Sequence, residues 1–141
     1  MPFLVSYQAK LKYRPVPRLG FQPALEVGLS FGDRQARVWG ILDSGSMVTV
    51  FSAEVAGRLG IPSIEDGHPM SIGTFGGPAT IYLFDLEMSV AANGLQSWFP
   101  AQVGFCPGHH SRNILGRNLI FSHLQIGIRE SRQEIYLSVE R

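Results

Sequence analysis

Asp43 is the residue whose setting in this sequence invites chemistry. It follows Trp39-Gly40-Ile41-Leu42, which reads as the end of a buried strand, and precedes Ser44-Gly45-Ser46. A carboxylate at the end of a buried strand is costly unless it is hydrogen-bonded. The turn offers partners: the backbone N–H of Gly45 and the hydroxyls of Ser44 and Ser46. Gly45 lets the backbone pack close beside the carboxylate. A group held this way is a candidate for acid–base work, although Asp-Ser-Gly by itself is also an ordinary turn. Cys106, His109, His110 and His123 raise a zinc site through a Cys-x2-His spacing. A structural zinc needs four ligands and usually a second tight pair, so the expectation is a polar loop and no metal. The Gly-rich run Gly73-Thr74-Phe75-Gly76-Gly77 is no phosphate cradle, since no P-loop Lys follows it.

Period-two alternation dominates the elements that must position Asp43. Phe3 to Tyr13 predicts a leading strand closed by Pro15 and Pro17. Ala24 to Phe31 alternates, turns at Gly32-Asp33 and returns from Ala36 to Leu42. After the Asp43 turn comes the β-branched run Val48-Thr49-Val50-Phe51. A helix follows over Ala53 to Leu59, with Ser52 as N-cap and Gly60 and Pro62 as its stop. Met70 to Val90 predicts a long hairpin with Thr74 to Pro78 at its tip. Ser89 to Phe105 predicts another, turning at Asn93-Gly94. Trp98-Phe99 is expected in the core. Asn118 is placed as the cap of a short helix through His123, and Leu124 to Ile128 pairs with Ile135 to Val139. Ile41-Leu42 and Ile114-Leu115, each followed by a turn or a Gly, form a weak internal echo that suggests a pseudo-duplicated barrel.

The bulk properties narrow the partners. A length of 141 residues suits one core, and 12 basic against 11 acidic residues leave a net charge of +1, which argues against a charge-driven nucleic-acid binder. Lys10-Leu11-Lys12-Tyr13-Arg14 accordingly reads as a solvated strand face. Charged residues are 16% and hydrophobic ones 45%, against a usual charged share of about 25%, which leans toward self-association. Sixteen Gly and nine Pro fit an all-β chain with many turns. The lone Cys106 allows no internal disulfide and suits a reducing compartment. With no signal-peptide pattern at the N-terminus and no apolar run near the ~20 residues of a membrane span, the expectation is a cytoplasmic protein with no membrane partner.

Taken in order, Asp43-Ser44-Gly45, the Gly-rich Ser71 to Gly77 and Asn113-Ile114-Leu115-Gly116-Arg117-Asn118-Leu119 resemble the retroviral-type (retropepsin-like) aspartic proteases and their bacterial relatives. The resemblance runs from about Ala24 to Val139. It implies an all-β acid-protease barrel with one to two short helices, divided into an N-terminal extension or leading strand over residues 1–23 and a protease domain over 24–141. It implies catalysis by Asp43 within the triplet Asp43, Ser44 and Gly45, and a substrate-covering flap over Ile72, Gly73, Thr74, Phe75, Gly76 and Gly77. Gly116, Arg117 and Asn118 would be structural residues near a dimer interface. No cofactor is needed.

That chemistry activates a water between two carboxyl groups, and two such groups ~3 Å apart cannot both ionise, so they share a proton. Only Asp43 lies in the required turn; Asp33, Asp66 and Asp85 do not. The resemblance therefore implies a symmetric homodimer hydrolysing peptides or unfolded proteins, with an acidic to mildly acidic optimum. The alternative is a dimeric peptide-binding or scaffolding module with little or no turnover. Two departures from the family stand out. Ser44 replaces the commoner Thr, keeping the hydroxyl that in relatives reaches the partner's backbone. Ser46-Met47-Val48 replaces acidic residues after the triplet, which leaves Arg117 to pair with Glu54 or a terminal residue, or to stay at the surface. The extension to Pro23 would pair with the sheet or act as a removable pro-segment.

Overall fold

The alternation seen in the sequence becomes a barrel. The computed structural model describes residues 2–74, 76–92, 95–108 and 112–139. The expected Asn93-Gly94 turn, Phe75, His109 and His110 lie outside those residues. Strands β4 (Ala24–Phe31) and β5 (Arg34–Leu42) form the first hairpin, and β6 (Val50–Ser52) leads into helix α1 (Ala53–Arg58). The hairpin of β7 (His68–Thr74) and β8 (Gly77–Val90) follows, then β9 (Gln96–Cys106), the two-residue β10 (Ile114–Leu115) and helix α2 (Ile120–His123).

The strand order β4-β5-β10-β6-β9-β8 closes on itself because β8 also pairs with β4, Val90 opposite Val27. Closure leaves β7 as the outlier. Among the described residues it pairs only with β8, and the β8–β9 ladder begins at Tyr82 opposite Phe105. The hairpin beyond Ile81 is therefore a two-stranded ribbon projecting from the barrel rim, mostly exposed on both faces. Inside, alternate residues fill the core: β5 turns Ala36, Val38, Gly40 and Leu42 inward. Phe51 and Phe105 are fully buried register partners with ring centroids 6.3 Å apart; truncating either to Ala would cost about 3–5 kcal/mol.

The sequence echo has a physical meaning here. β10 lies parallel to β5 with Ile114 beside Ile41 and Leu115 beside Leu42, so the two copies are neighbours in one sheet. Helix α1 stops as its Gly predicts. Gly60 takes φ +76°, its N–H donates to Gly57 O (3.0 Å), and Ile61 N–H donates to Ala56 O (3.0 Å), a Schellman arrangement.

A second sheet joins the chain ends. β1 (Ala9–Lys12) pairs with β12 (Glu134–Val139), which pairs with β11 (Leu124–Arg129). Glu134 sits nearly buried between them. Its carboxylate accepts hydrogen bonds from Tyr136 Oη (2.8 Å) and Lys12 Nζ (3.1 Å), with Lys10 at 3.7 Å. These contacts hold its pKa down to about 2, against the opposing effect of burial.

Four local expectations are corrected. The leading strand covers Ala9–Lys12 rather than Phe3 to Tyr13, because its ladder partners run from Glu134 to Leu137; Phe3 and Leu4 stay 97% and 96% exposed. Pro15 and Pro17 do not simply end it. Pro15 lies within β2 (Arg14–Val16), which pairs with β3 (Gly20–Gln22) in a two-stranded ribbon, where edge positions need no donor from Pro. Trp39 and Trp98 face out, at 38% and 41% exposure, while Phe99 is buried, since adjacent strand residues point to opposite faces. Asn118 does not cap α2; Leu119 holds that position, and the Asn118 side chain is engaged elsewhere.

Candidate active site

Asp43 is carried to the barrel rim by β5 and fixed there by its neighbour β10. The Ile41 N–H donates to Asn113 O (2.9 Å), and Asp43 N–H donates to Leu115 O (3.0 Å). Beyond that point the chain turns, with Ser46 N–H donating to Asp43 O (3.1 Å). The Asp43 side chain joins the turn itself: Oδ1 accepts the Gly45 N–H at 2.9 Å, an Asx-type closure that orients the carboxylate. A Cβ on Gly45 would lie 3.1 Å from that oxygen, tighter than ordinary contact. The carboxylate is half-buried, while Ser44 and Gly45 are exposed.

The turn is clamped from below by the segment after β10. Ser46 O accepts the Arg117 N–H (2.9 Å). The buried Thr49 hydroxyl accepts the Gly116 N–H (3.1 Å) and donates to Asn118 Oδ1 (2.9 Å). Gly116 has no alternative, because a Cβ there would overlap the Val48 carbonyl and stand 2.9 Å from Ser46 O. Gly116 and Asn118 thus hold the Asp43 turn in place. Arg117 contributes its backbone; its side chain is exposed, and neither Glu54 nor any other described residue pairs with it.

Above the turn lies a cavity of about 610 Å³, in the range typical of ligand sites. Asp43, Gly45 and Ser46 form its floor, and Ile72, Gly73 and Thr74 of the projecting hairpin its roof. Val50, Ile114 and Cys106 supply an apolar wall, with Arg112 at the margin. At the tip, Gly77 takes φ +106° and the Thr74 hydroxyl donates to Gly77 O, with Gly76 between them in the turn. Another cavity, about 380 Å³ beside Gly28 and Trp98, is lined by no acidic side chain among the described residues.

Residues 27–119 match the family model described as aspartyl protease, a span that holds both Asp43 and Gly116. The chain belongs to the aspartyl protease family. The fold agrees: the crystal structure of a retropepsin-like aspartic protease from Rickettsia conorii superposes with a TM-score of 0.62 at 12% identity, covering 99% of this chain and 100% of that one. No curated protein matches this aspartyl-protease chain. The all-β, retropepsin-like architecture expected from the motifs is the one observed, with the two short helices α1 and α2.

Among the described residues no three His, Cys, Asp or Glu side chains cluster as metal ligands. His123 stacks on Phe99 (ring centroids 3.9 Å apart), with its Nδ1 2.8 Å from Leu119 O, and Cys106 lines the cavity. No helix among the described residues is long and apolar enough to cross a membrane.

The sequence alone assigned no role of their own to Thr49, Asn113 and Arg112. Asn113 stitches three strands: its side chain accepts the Ser52 N–H (3.0 Å) and donates to Trp39 O (3.0 Å). The Ser52 hydroxyl itself makes no capping hydrogen bond for α1. A polar Thr amid Val48, Val50 and Phe51 was the available signal for Thr49.

Proposed function

We propose that this chain is an aspartic endopeptidase acting as a symmetric homodimer, with Asp43 of each protomer forming the catalytic pair. The observation that carries this reading is the setting of Asp43: a carboxylate oriented by the Gly45 N–H, opening on a mostly apolar cavity roofed by a projecting hairpin. Among the described residues that cavity is lined by one acidic residue, and the chemistry needs two, so the second comes from another copy. The exposed Ser44 hydroxyl, which makes no hydrogen bond among the described residues, is free to reach the partner's backbone.

In the pair, one carboxyl is ionised and the other protonated. The ionised group takes a proton from the bound water as the water oxygen bonds to the scissile carbonyl carbon. The protonated group gives its proton to the carbonyl oxygen. Collapse of the resulting diol breaks the C–N bond, and a proton passes to the leaving nitrogen, which leaves one carboxylic acid and one amine. The substrate lies extended between floor and hairpin and is held through its main chain as an added strand. Residues 72–77 act as the flap: the ribbon lacks barrel partners beyond Ile81, so its closure over substrate disturbs little else. Residues 24–141 form the protease domain, with residues 1–23 as its N-terminal extension.

Hydrolysis of unfolded casein by wild type and Asp43→Asn across about pH 3–7 tests this reading, with an expected loss of ~10²–10⁴-fold in the variant. Adding excess Asp43→Asn chain to wild type should also depress activity, through mixed dimers with one carboxylate. Equal activity in both proteins, or full activity from isolated protomers, overturns the proposal. Peptide binding without turnover by wild type would favour the scaffolding alternative instead.

A further inference from the structure

We infer that Arg112 makes this site selective for substrates carrying an acidic side chain beside the apolar residue seated in the cavity. The inference rests on the peptidase reading above and deepens it. Among the described residues, Arg112 is the one cationic residue lining the cavity of about 610 Å³. It is exposed, and its guanidinium has no carboxylate partner among the described residues; the ion pairs there join Lys10 and Lys12 to Glu134.

Its backbone is well placed despite that exposure. The next residue, Asn113, is tied by its main-chain carbonyl to Ile41 N–H and by its side chain to Ser52 N–H and Trp39 O, at 2.9–3.0 Å. Two residues on, Ile114 forms part of the apolar wall with Val50. Arg112 also lines a neighbouring cavity of about 360 Å³ built on Trp39, Pro15 and Pro17. A peptide leaving the catalytic cavity toward that neighbour passes the guanidinium.

The charges set the direction of selection. A substrate carboxylate over the floor meets Asp43 and is repelled, whereas one displaced toward the margin meets Arg112 and accepts its hydrogen bonds. Apolar contact with Val50, Ile72 and Ile114 seats one side chain, and the extended backbone presents the flanking one toward the rim. Glu54 lines the second cavity but makes no ion pair with Arg112, so the guanidinium is available.

The test uses peptides identical except at one position, stepped along both sides of an apolar scissile pair and occupied by Glu, Gln or Lys. The measurement is kcat/KM at about pH 6, where a free Glu is ionised. At a pair of symmetry-related positions, one on each side of the scissile bond and each facing one protomer's Arg112, wild type should favour Glu over Lys by about three- to fivefold, the scale of an exposed ion pair, with the preference shrinking in high salt. Arg112→Glu should invert the Glu/Lys ratio and Arg112→Gln should flatten it. Because the readout is a ratio within each protein, a general loss of activity in a variant does not obscure it. Binding of the same peptides to Asp43→Asn, read by fluorescence anisotropy, separates the two hypotheses. Cleavage with no charge preference, or a ratio unmoved by Arg112→Glu, overturns the inference and leaves the peptidase reading standing. A charge preference in binding without wild-type cleavage overturns the peptidase reading and leaves Arg112 as a selector of acidic peptides. Neither cleavage nor binding overturns both.

Discussion

Replacing Gly116 by Ala should damage both stability and activity, because the new methyl group has nowhere to go. Its Cβ would overlap the Val48 carbonyl and crowd Ser46 O at 2.9 Å. Both are main-chain atoms of the Asp43 turn, so no rotamer change relieves the contact. Restoring an ordinary carbon–oxygen separation of about 3.3 Å requires a shift on the order of 1 Å. That shift pulls on two hydrogen bonds, Arg117 N–H to Ser46 O (2.9 Å) and Gly116 N–H to the Thr49 hydroxyl (3.1 Å). Overpacking costs about 1–3 kcal/mol, and each weakened bond adds up to about 1 kcal/mol. The expected total is ~2–4 kcal/mol, a fall in urea midpoint of roughly 1–2 M at a usual slope for small proteins. Unfolding followed by Trp fluorescence at one fixed protein concentration measures it. Gly57→Ala in α1 is the control: nothing lies within 4 Å of its added Cβ, so helix propensity should stabilise by up to about 1 kcal/mol. Under conditions where the variant stays folded, misplacement of Asp43 by ~1 Å should lower kcat/KM about 10²-fold. A Gly116→Ala protein with the wild-type midpoint would refute the view that this segment clamps the turn.

Thr49→Val keeps the shape of a buried side chain but strips the Gly116 N–H of its acceptor and Asn118 of its donor. It should cost about 1–3 kcal/mol in urea unfolding, with Thr49→Ser recovering most of the loss; equal stability of Val and Ser variants would contradict this. Glu134 predicts a pH effect away from the site. Its folded pKa lies near 2, below its ordinary 4.5, through hydrogen bonds from Tyr136 and Lys12. The carboxylate thus supports the folded state above about pH 4.5 and loses that support as pH falls toward about 2. Glu134→Gln should flatten this stretch of the stability profile, and a profile of unchanged shape would exclude the assigned role.

Asp43-Ser44-Gly45, the Gly-bearing hairpin and Ile114-Leu115-Gly116 were legible in the sequence because each is a local pattern: a turn chemistry, a period of two, a glycine where backbone must approach closely. The same locality made the Gly60 stop of α1 and the β4–β5 hairpin readable. Only the tertiary structure decided what depends on distant partners. Phe3 to Gln8 has strand-forming residues, yet where β1 begins was set by the register of β12 more than a hundred residues away. Asn118 looked like a helix cap because capping is judged from neighbours in sequence, whereas Thr49, 69 positions earlier, claims its side chain. Trp39 and Trp98 are hydrophobic enough for the core, but the pleat sends their neighbours inward and leaves them outside. Arg112 carries no local signature at all. Its place in the cavity of Asp43 follows from β10 slotting between β5 and β6, a long-range pairing that brings residues some seventy positions apart to one cavity.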